Sequence, residues 1–417
     1  MVDILKKHLK GDRIIWMILF ILSILSLLAV YSSSGSLAYK YHSGNVAYYL
    51  LKHFIFLIIG VSIVYATHLI PYSYYSRMSQ LLMAISIPLL LITLVFGARI
   101  NHAARWLTLP GTGLTFQTSD LAKVALIMFV ARLLSLKQDN IKSFKEAFVP
   151  IVIPVLIICG LIMPANLSTA ILLFLVSVIL MFIGRIKFGY IAMLCTCMFV
   201  ALIILITIAL KSNWEGRWET WKNRIVNHME TKSDDRNYQA DQSKIAISTG
   251  GLIGKGPGNS VQRNFLPHPY SDFIFAIIVE EYGLVGGLIV ILIYLALLFR
   301  AGLLVRGSDR TFPAFLAFGL ALMLVMQAMV NMAVAVGLFP VTGQPLPLIS
   351  MGGTSILFTS SAFGIILSVS RDLQKDNGKD KNIQTDEQSN NKLEKNKTDQ
   401  RTKIEKPKIV EVEFEEA

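Results

Sequence analysis

Charged residues and cysteines are both scarce in this chain, and each scarcity excludes a class of protein. Only 16% of the 417 residues are charged whereas 54% are hydrophobic, which excludes an ordinary soluble protein and is typical of a polytopic helical membrane protein. The three cysteines, Cys159, Cys195 and Cys197, lie inside apolar runs, so we interpret them as core residues, not disulfide partners or metal ligands. The sequence also lacks a zinc-spaced His/Cys cluster, a serine elbow and a dinucleotide-binding fingerprint.

The net charge of +12 does not indicate a nucleic-acid partner. Residues 371–417 hold 11 Lys+Arg against 12 Asp+Glu, so the positive excess belongs to the preceding part of the chain. There it is spread over short loops between apolar runs, which is the distribution that orients helices in a membrane. We therefore expect membrane lipids, and no nucleic acid, among the partners.

Apolar runs of membrane-spanning length recur along the chain. At about 20 apolar residues per span, they predict an all-α polytopic membrane protein with ten transmembrane helices. The first run is too long for the core of a cleaved signal peptide, so we interpret it as a retained helix. The predicted spans are residues 14–31, 49–69, 79–98, 119–136, 148–163, 167–184, 189–210, 273–299, 312–336 and 352–370.

Basic residues are concentrated in alternate short loops, beginning with the N-terminal segment, and this bias predicts the orientation. Residues 1–13 form a cytoplasmic N-terminus, and residues 14–370 form the membrane domain. Within that domain, the loop at 211–271, between the seventh and eighth helices, lies outside the cytoplasm. The almost wholly polar residues 371–417 are predicted to be a disordered cytoplasmic tail, because they cannot bury enough apolar surface to offset the entropy of ordering.

Asp272 lies where the chain passes from the large polar loop into the eighth apolar run. A carboxylate at that boundary is costly enough to need a reason. One is structural: Ser271 or Asp272 caps the N-terminus of the helix that follows. The other is catalytic: Asp272 acts as a general base at the mouth of a membrane cavity.

Other ionisable residues lie within the predicted spans. Asp120 and Lys123 are one helical turn apart, which suits either mutual pairing or contact with a ligand. Glu280 and Glu281 lie two turns beyond Asp272, and burying both as bare charges would be expensive. At least one is therefore expected to be protonated, paired or directed toward a polar cavity.

Three loop segments carry further signals. Tryptophans and the arginines Arg217 and Arg224, at helical spacing, predict an interfacial helix that either contacts an anionic lipid head or simply anchors the chain. Residues 250–260 combine glycines with Lys255, a weak signal for a phosphate cradle that is not a Walker loop. Residues 340–355 combine three prolines with glycines, so they predict irregular backbone lining a cavity on the side of Asp272. Together these segments suggest a lipid-linked or anionic substrate at the outer leaflet.

Several motifs, in order, resemble the SEDS family of bacterial cell-wall proteins (FtsW, RodA, SpoVE) over residues 13–371. They are Ala104-Arg105-Trp106; the segment 117–123; Gln242-Ser243, Ala246-Ile247 and Gly250-Gly251; the segment 267–281; Asn331; and the segments 337–340 and 345–355.

The resemblance implies a ten-helix glycosyltransferase that polymerises lipid II into glycan strands. The family's essential aspartate falls on Asp272, which would deprotonate the acceptor hydroxyl as the undecaprenyl-pyrophosphate-linked donor is attacked with inversion. The resemblance allows a divalent cation, Mg²⁺ or Mn²⁺, without naming its ligands, and implies no organic cofactor. Candidate substrate-binding residues are Arg105, Trp106, Asp120, Lys123, Arg217, Arg224, Lys255, Gln262, His268, Ser350, Thr354 and Ser355.

The sequence departs from the family pattern at a few positions. Asn166 replaces an aspartate, Thr118 and Asp120 replace proline and glutamate, and Thr342 stands where some members carry lysine. Residues 258–262 resemble the division branch of the family more than its elongation branch. We therefore expect septal peptidoglycan synthesis.

The expected partners are a class B penicillin-binding protein, other divisome membrane proteins and lipid II. The expected location is the cytoplasmic membrane of a bacterium, at the division septum. Two alternatives remain open: a lipid II flippase, and a non-catalytic scaffold that activates a penicillin-binding protein.

Overall fold

The structure is a computed structural model. It describes residues 10–41, 44–100, 103–108, 115–211 and 238–375. The described part is mostly helical. Contacts divide the chain into residues 1–371 and residues 372–417, and of the second unit only the helical residues 372–375 are described.

Long helices form wherever the sequence has a long apolar run. In chain order the α-helices are α1 Arg13–Ser33, α2 Gly35–Tyr41, α3 Val46–Leu69, α4 Tyr72–Phe96, α5 Thr118–Leu136, α6 Val149–Ile162, α7 Leu167–Ile183, α8 Phe188–Lys211, α9 Tyr238–Gly250, α10 Ile274–Arg306, α11 Thr311–Ala335 and α12 Thr354–Lys375. A π-helical turn, Phe144–Phe148, leads into α6.

Within the described residues, eight helices are long and apolar enough to cross a membrane: α1, α3, α4, α6 with its π turn, α8, α10, α11 and α12. The fourth and sixth predicted spans are also helices, α5 and α7. However, α5 carries Asp120, Lys123 and Arg132 within 19 residues, and α7 is only 17 residues long. The polytopic membrane class is thus supported.

Helices α11 and α12 are among the most deeply buried helices of the membrane body. In the most apolar 18-residue stretch of each helix, 78% of α11 and of α12 is buried, compared with 11% of α8 and 22% of α3. The peripheral helices expose large apolar side chains such as Phe20, Ile58 and Phe199, as expected for surfaces that face lipid. Helix α11 also contributes two buried polar side chains, Asn331 and Gln327.

The all-α prediction is wrong in the segment between α4 and α5. Three short strands, β1 Ala98–Ile100, β2 Ala103–Thr108 and β3 Thr115–Gln117, form an antiparallel sheet in the order β1-β2-β3. Residues 106–108 pair with 117–115, and both segments contain aromatic or β-branched residues, which favour strands. Strands this short leave no periodic signal. The sheet matters because β2 carries Arg105 and Trp106.

The predicted tail boundary is also wrong by a few residues. Helix α12 continues to Lys375, whereas the tail was predicted to begin at residue 371. The interfacial helix predicted around Arg217 and Arg224, and the rest of the predicted tail, lie outside the described residues.

Candidate functional site

Asp272 lies in a turn immediately before α10. The helix begins at Ile274 with Phe273 as its N-cap residue, so neither Ser271 nor Asp272 holds the capping position and that interpretation is wrong. The Asp272 carboxylate is half-buried and accepts a hydrogen bond at Oδ1 from Ser271 Oγ at 3.0 Å. Backbone contacts of the turn also contribute to its placement.

The backbone of this turn is bound to the segment 340–353, which we call the proline loop. Asn331 Nδ2 donates to the Asp272 carbonyl at 2.9 Å and to the Gln344 carbonyl at 2.8 Å. Ser350 Oγ donates to the Ser271 carbonyl at 2.6 Å, and Met351 N donates to Tyr270 O at 2.9 Å. These four bonds fix the turn to the loop. The irregular backbone predicted here is confirmed between residues 340 and 350.

Arg105 reaches the same place from the sheet. Its Nε donates to the Ala165 carbonyl at 2.8 Å. A Cβ added to Gly343 would lie 3.7 Å from Arg105 Nη1 and 3.7 Å from Asp272 Oδ2. The guanidinium, the carboxylate and Gly343 therefore converge on one small volume. A carboxylate beside a cation is suited to proton abstraction next to a developing negative charge.

Asp120 and Lys123 form a buried layer beneath the proline loop. Lys123 Nζ lies 2.9 Å from Asp120 Oδ1 and donates to Gln327 Oε1 at 2.9 Å. Gln327 Nε2 in turn donates to the Pro345 carbonyl at 2.9 Å. Mutual pairing of Asp120 and Lys123 is confirmed, and both side chains are at least 93% buried. Through Gln327 the pair supports the loop, and substrate contact by Asp120 and Lys123 stays a prediction.

Lys255 and the two glutamates form a separate cluster. Lys255 Nζ pairs with Glu280 Oε1 at 2.6 Å, and the Glu280 carboxylate also accepts from Val261 N and Gln262 N at 3.1 and 3.2 Å. Glu281 Oε1 accepts from Ser260 N and from Ser32 Oγ. The expectation that at least one of the two glutamates is paired is confirmed for Glu280.

The glycines of residues 250–260 serve this packing. A Cβ on Gly254 would lie 2.2 Å from the Glu281 carbonyl oxygen, and one on Gly250 would lie 2.2 Å from that of Val279. The segment therefore clamps the start of α10, where Gly283 breaks the helix at φ 69°. We call residues 250–260 the glycine clamp. Its lysine neutralises a buried carboxylate, and a substrate contact by Lys255 stays a prediction.

Comparison with known proteins assigns most of the chain to one family. A profile of the FtsW/RodA/SpoVE family, described as "Cell cycle protein", matches residues 12–375. The chain belongs to the FtsW/RodA/SpoVE family. The SEDS resemblance of the sequence motifs is thereby confirmed.

Two relatives are similar to this FtsW/RodA/SpoVE chain over nearly their full length. A probable peptidoglycan glycosyltransferase FtsW of Trichlorobacter lovleyi is 32% identical over 384 residues, covering 90% of this chain and 97% of the relative. Stage V sporulation protein E of Bacillus subtilis is 32% identical over 375 residues, covering 88% and 98%.

Two solved structures show the same fold. One comes from work titled "Structural coordination of polymerization and crosslinking by a peptidoglycan synthase complex". It aligns with a TM-score of 0.65 at 25% identity, covering 87% of this chain and 98% of that one. RodA of Thermus thermophilus aligns with a TM-score of 0.62 at 23% identity, covering 87% and 97%.

The remaining residues predicted for this SEDS site make local contacts of their own. His268 is exposed at φ 58° with Nδ1 3.1 Å from Tyr270 Oη, and Trp106 is half-buried between β1 and β3. Thr354 Oγ1 donates to Thr115 O at 3.3 Å, and the backbone N–H of Ser355 donates to Gly352 O at 3.1 Å. Gln262 Oε1 is buried with no hydrogen-bond partner among the described residues.

Two departures of this chain from the family pattern have local structural accounts. Asn166 caps α7, accepting at Oδ1 from Thr169 N at 3.4 Å. Thr118 accepts a hydrogen bond from Thr93 Oγ1 at 3.0 Å. Within the described residues, no three His, Cys, Asp or Glu side chains are grouped as a metal site. The expected divalent cation therefore stays a prediction.

Sequence reasoning did not assign roles to Asn331, Gln327 or Gly343. Asn331 and Gln327 are four residues apart in an otherwise apolar helix, so they share a face, and polar side chains in a span are functional candidates. That spacing was the available signal. No comparable signal singled out Gly343, because its role depends on Arg105 and Asp272, which are distant in sequence.

Proposed function

We propose that this chain is a peptidoglycan glycosyltransferase that polymerises lipid II, with Asp272 as general base. The observation that carries the proposal is the convergence of the Asp272 carboxylate and the Arg105 guanidinium at Gly343, on a turn fixed by Asn331. The names of the curated relatives support the reaction class.

In the proposed reaction, Asp272 takes the proton from the 4-hydroxyl of the acceptor GlcNAc. The acceptor oxygen forms a bond to the anomeric carbon of the lipid-linked donor with inversion, and the bond to undecaprenyl pyrophosphate breaks. The leaving group carries away the electron pair, so positive charge nearby lowers the barrier. Arg105 is positioned to supply that charge. One base suffices, because the leaving group needs no protonation by a second carboxyl group.

The proposed topology has ten transmembrane helices. They are the eight described helices that are long and apolar enough to cross a membrane, together with α5 and α7. The N- and C-termini then lie in the cytoplasm. The loop at 211–271 and the Asp272 turn face outward, where lipid II would be polymerised. Loop charge supports this orientation.

The proposed partner is a class B penicillin-binding protein, and the proposed setting is septal synthesis with other divisome membrane proteins in the inner membrane. Support comes from the structural relative, whose title describes coordinated polymerization and crosslinking by a peptidoglycan synthase complex. The FtsW name of several curated relatives supports the septal setting.

The deciding experiment combines the purified protein, its penicillin-binding partner and labelled lipid II. Asp272→Asn keeps the side-chain shape but removes the base, so glycan product should fall by at least about 100-fold, the lower range for general-base catalysis. Asp309→Asn, in the loop that follows α10, serves as the matched control and should retain activity.

The same assay separates the alternatives. Equal product from the wild type and Asp272→Asn would refute the base assignment. Transbilayer movement of lipid II in liposomes without polymer would favour a flippase. Polymer that the penicillin-binding partner makes without catalysis by this chain would favour a scaffold.

A further inference from the structure

A polar cavity lies at the opposite end of the helices from Asp272. It has a volume of about 520 Å³ and is lined by residues 138–143, which connect α5 to α6, and by Arg185, which connects α7 to α8. In the proposed topology both connectors face the cytoplasm. The inference therefore rests on that topology, but not on the reaction at Asp272.

Hydrogen bonds and aromatic packing hold the two connectors together. Gln138 Nε2 donates to the Leu134 carbonyl at 2.9 Å and to the Gly184 carbonyl at 3.4 Å. The ring of Tyr190, in the first turn of α8, lies 5.1 Å from Phe144 and 5.4 Å from Phe148. The cavity is thus bounded by linked segments.

Arg185 occupies a backbone conformation that normally favours glycine. It follows α7 at φ 66°, and its N–H donates to Phe182 O at 3.1 Å while that of Ile186 donates to Met181 O at 3.2 Å. Glycine or asparagine is usual at such a helix C-terminus, because other side chains are strained there. The arginine therefore costs stability, which suggests that its side chain has a use.

The cations at the cavity have no anionic partner among the described residues. Lys142 and Arg185 are exposed and make no ion pair within that part of the chain. Lys145 and Lys187 lie on the same connectors. Asp139 is the one acidic residue among those that line the cavity in the described structure. The cations of the cavity can therefore bind an anionic group, and the Asp139 carboxylate can accept hydrogen bonds from hydroxyl groups.

Exposed apolar side chains lie within three sequence positions of residues that line the cavity. Phe144 is 39% exposed, Phe182 59% and Phe188 69%, at the ends of helices that face lipid. A polar cation-bearing cavity beside exposed aromatic rings fits a ligand with an anionic head and apolar tails, and basic pockets between helices on this membrane side bind such lipids.

We propose that this cavity binds the headgroup of an anionic glycerophospholipid. Lys142 and Arg185 bind the phosphate, and Asp139 accepts hydrogen bonds from the glycerol hydroxyl groups. The acyl chains lie along the exposed aromatic residues. A free phosphate shares the headgroup chemistry but lacks the chains.

The test measures lipid retention by the purified full-length protein with native mass spectrometry. Phosphatidylglycerol and phosphatidylcholine are added at matched concentrations. Arg185→Gly removes the cation and relieves the backbone strain, so it should fold normally and bind phosphatidylglycerol about fivefold more weakly. Arg306→Gly, at the last residue of α10, is the matched control and should bind as the wild type does.

Lys142→Ala should have an effect of the same size, and phosphatidylcholine retention should be unchanged by every variant. Inorganic phosphate at millimolar concentration should not displace the lipid. Undiminished phosphatidylglycerol binding by Arg185→Gly and Lys142→Ala would refute the site. Displacement by inorganic phosphate would refute the lipid assignment. This experiment measures lipid binding. A failure to detect polymerase activity would therefore not change its conclusion about the lipid site.

Discussion

At the scale of single residues, Asn331 connects the proposed base to the loop that faces it. Its amide is buried, and both Nδ2 hydrogens are used, one on the Asp272 carbonyl and one on the Gln344 carbonyl. Two acceptors at these positions also fix the amide orientation, since the reversed amide would place oxygen against oxygen. Gly343, where Arg105 and Asp272 converge, precedes Gln344. Asn331 therefore helps to set the position of the base relative to the arginine.

Replacing Asn331 with alanine should lower kcat by about 100-fold while KM changes little, because small displacements of a catalytic group are costly in rate. Gln327→Ala is the matched control: Gln327 lies one turn earlier on α11 and binds Lys123 as well as Pro345 of the same loop, but in its described contacts it does not touch the Asp272 turn. Steady-state kinetics and thermal unfolding of both variants are the measurements. Equal losses of kcat in the two variants would show that loop support, not positioning of Asp272, explains the effect.

At the scale of elements, the glycine clamp holds the kinked start of α10. Gly254 and Gly258 both have positive φ, +88° and +79°. A Cβ on Gly254 would meet the Glu281 carbonyl at 2.2 Å, whereas nothing lies within 4 Å of one on Gly258. The two positions share backbone strain and differ in steric overlap.

Gly258→Ala should therefore destabilise the protein by about 1–2 kcal/mol, the cost of the left-handed conformation alone. Gly254→Ala should lower the Tm clearly further, because backbone atoms must move to admit the methyl group. Thermal unfolding in detergent, at matched protein concentration, compares the two. Similar Tm values for both variants would contradict tight packing of the clamp on α10.

The elements also show what was predictable from sequence. Long apolar runs predicted each long helix, since about 20 apolar residues suffice to specify a span. The glycine clamp was interpreted as a weak phosphate cradle because local sequence cannot reveal that Lys255 meets Glu280, 25 residues away. The bond between Asn331 and Asp272 joins residues 59 apart. Tertiary packing, which local patterns do not encode, decides such contacts.

At the scale of the whole molecule, the proposed topology depends on α5 and α7 crossing the membrane. Helix α5 carries Asp120, Lys123 and Arg132, charges that would be expensive in contact with lipid. The pair Asp120–Lys123 is buried inside the protein, and Arg132 Nη1 donates to the Ser76 carbonyl at 2.9 Å. Buried and paired charges lower the cost of placing this helix in the membrane. Crossing by α5 is therefore physically reasonable despite its composition.

Cysteine labelling tests that topology in a background where Cys159, Cys195 and Cys197 are replaced by alanine. Thr115→Cys and Asn264→Cys should react with a membrane-impermeant maleimide added outside intact spheroplasts. Asn140→Cys and Lys187→Cys, on the connectors that follow α5 and α7, should react only after permeabilisation. If α5 does not cross, residue 140 remains on the same side as residue 115, and both cysteines react from outside. Labelling of Asn140→Cys in intact spheroplasts would therefore replace ten spans with fewer, and would place the cavity at Arg185 on a different side from the one its lipid ligand requires.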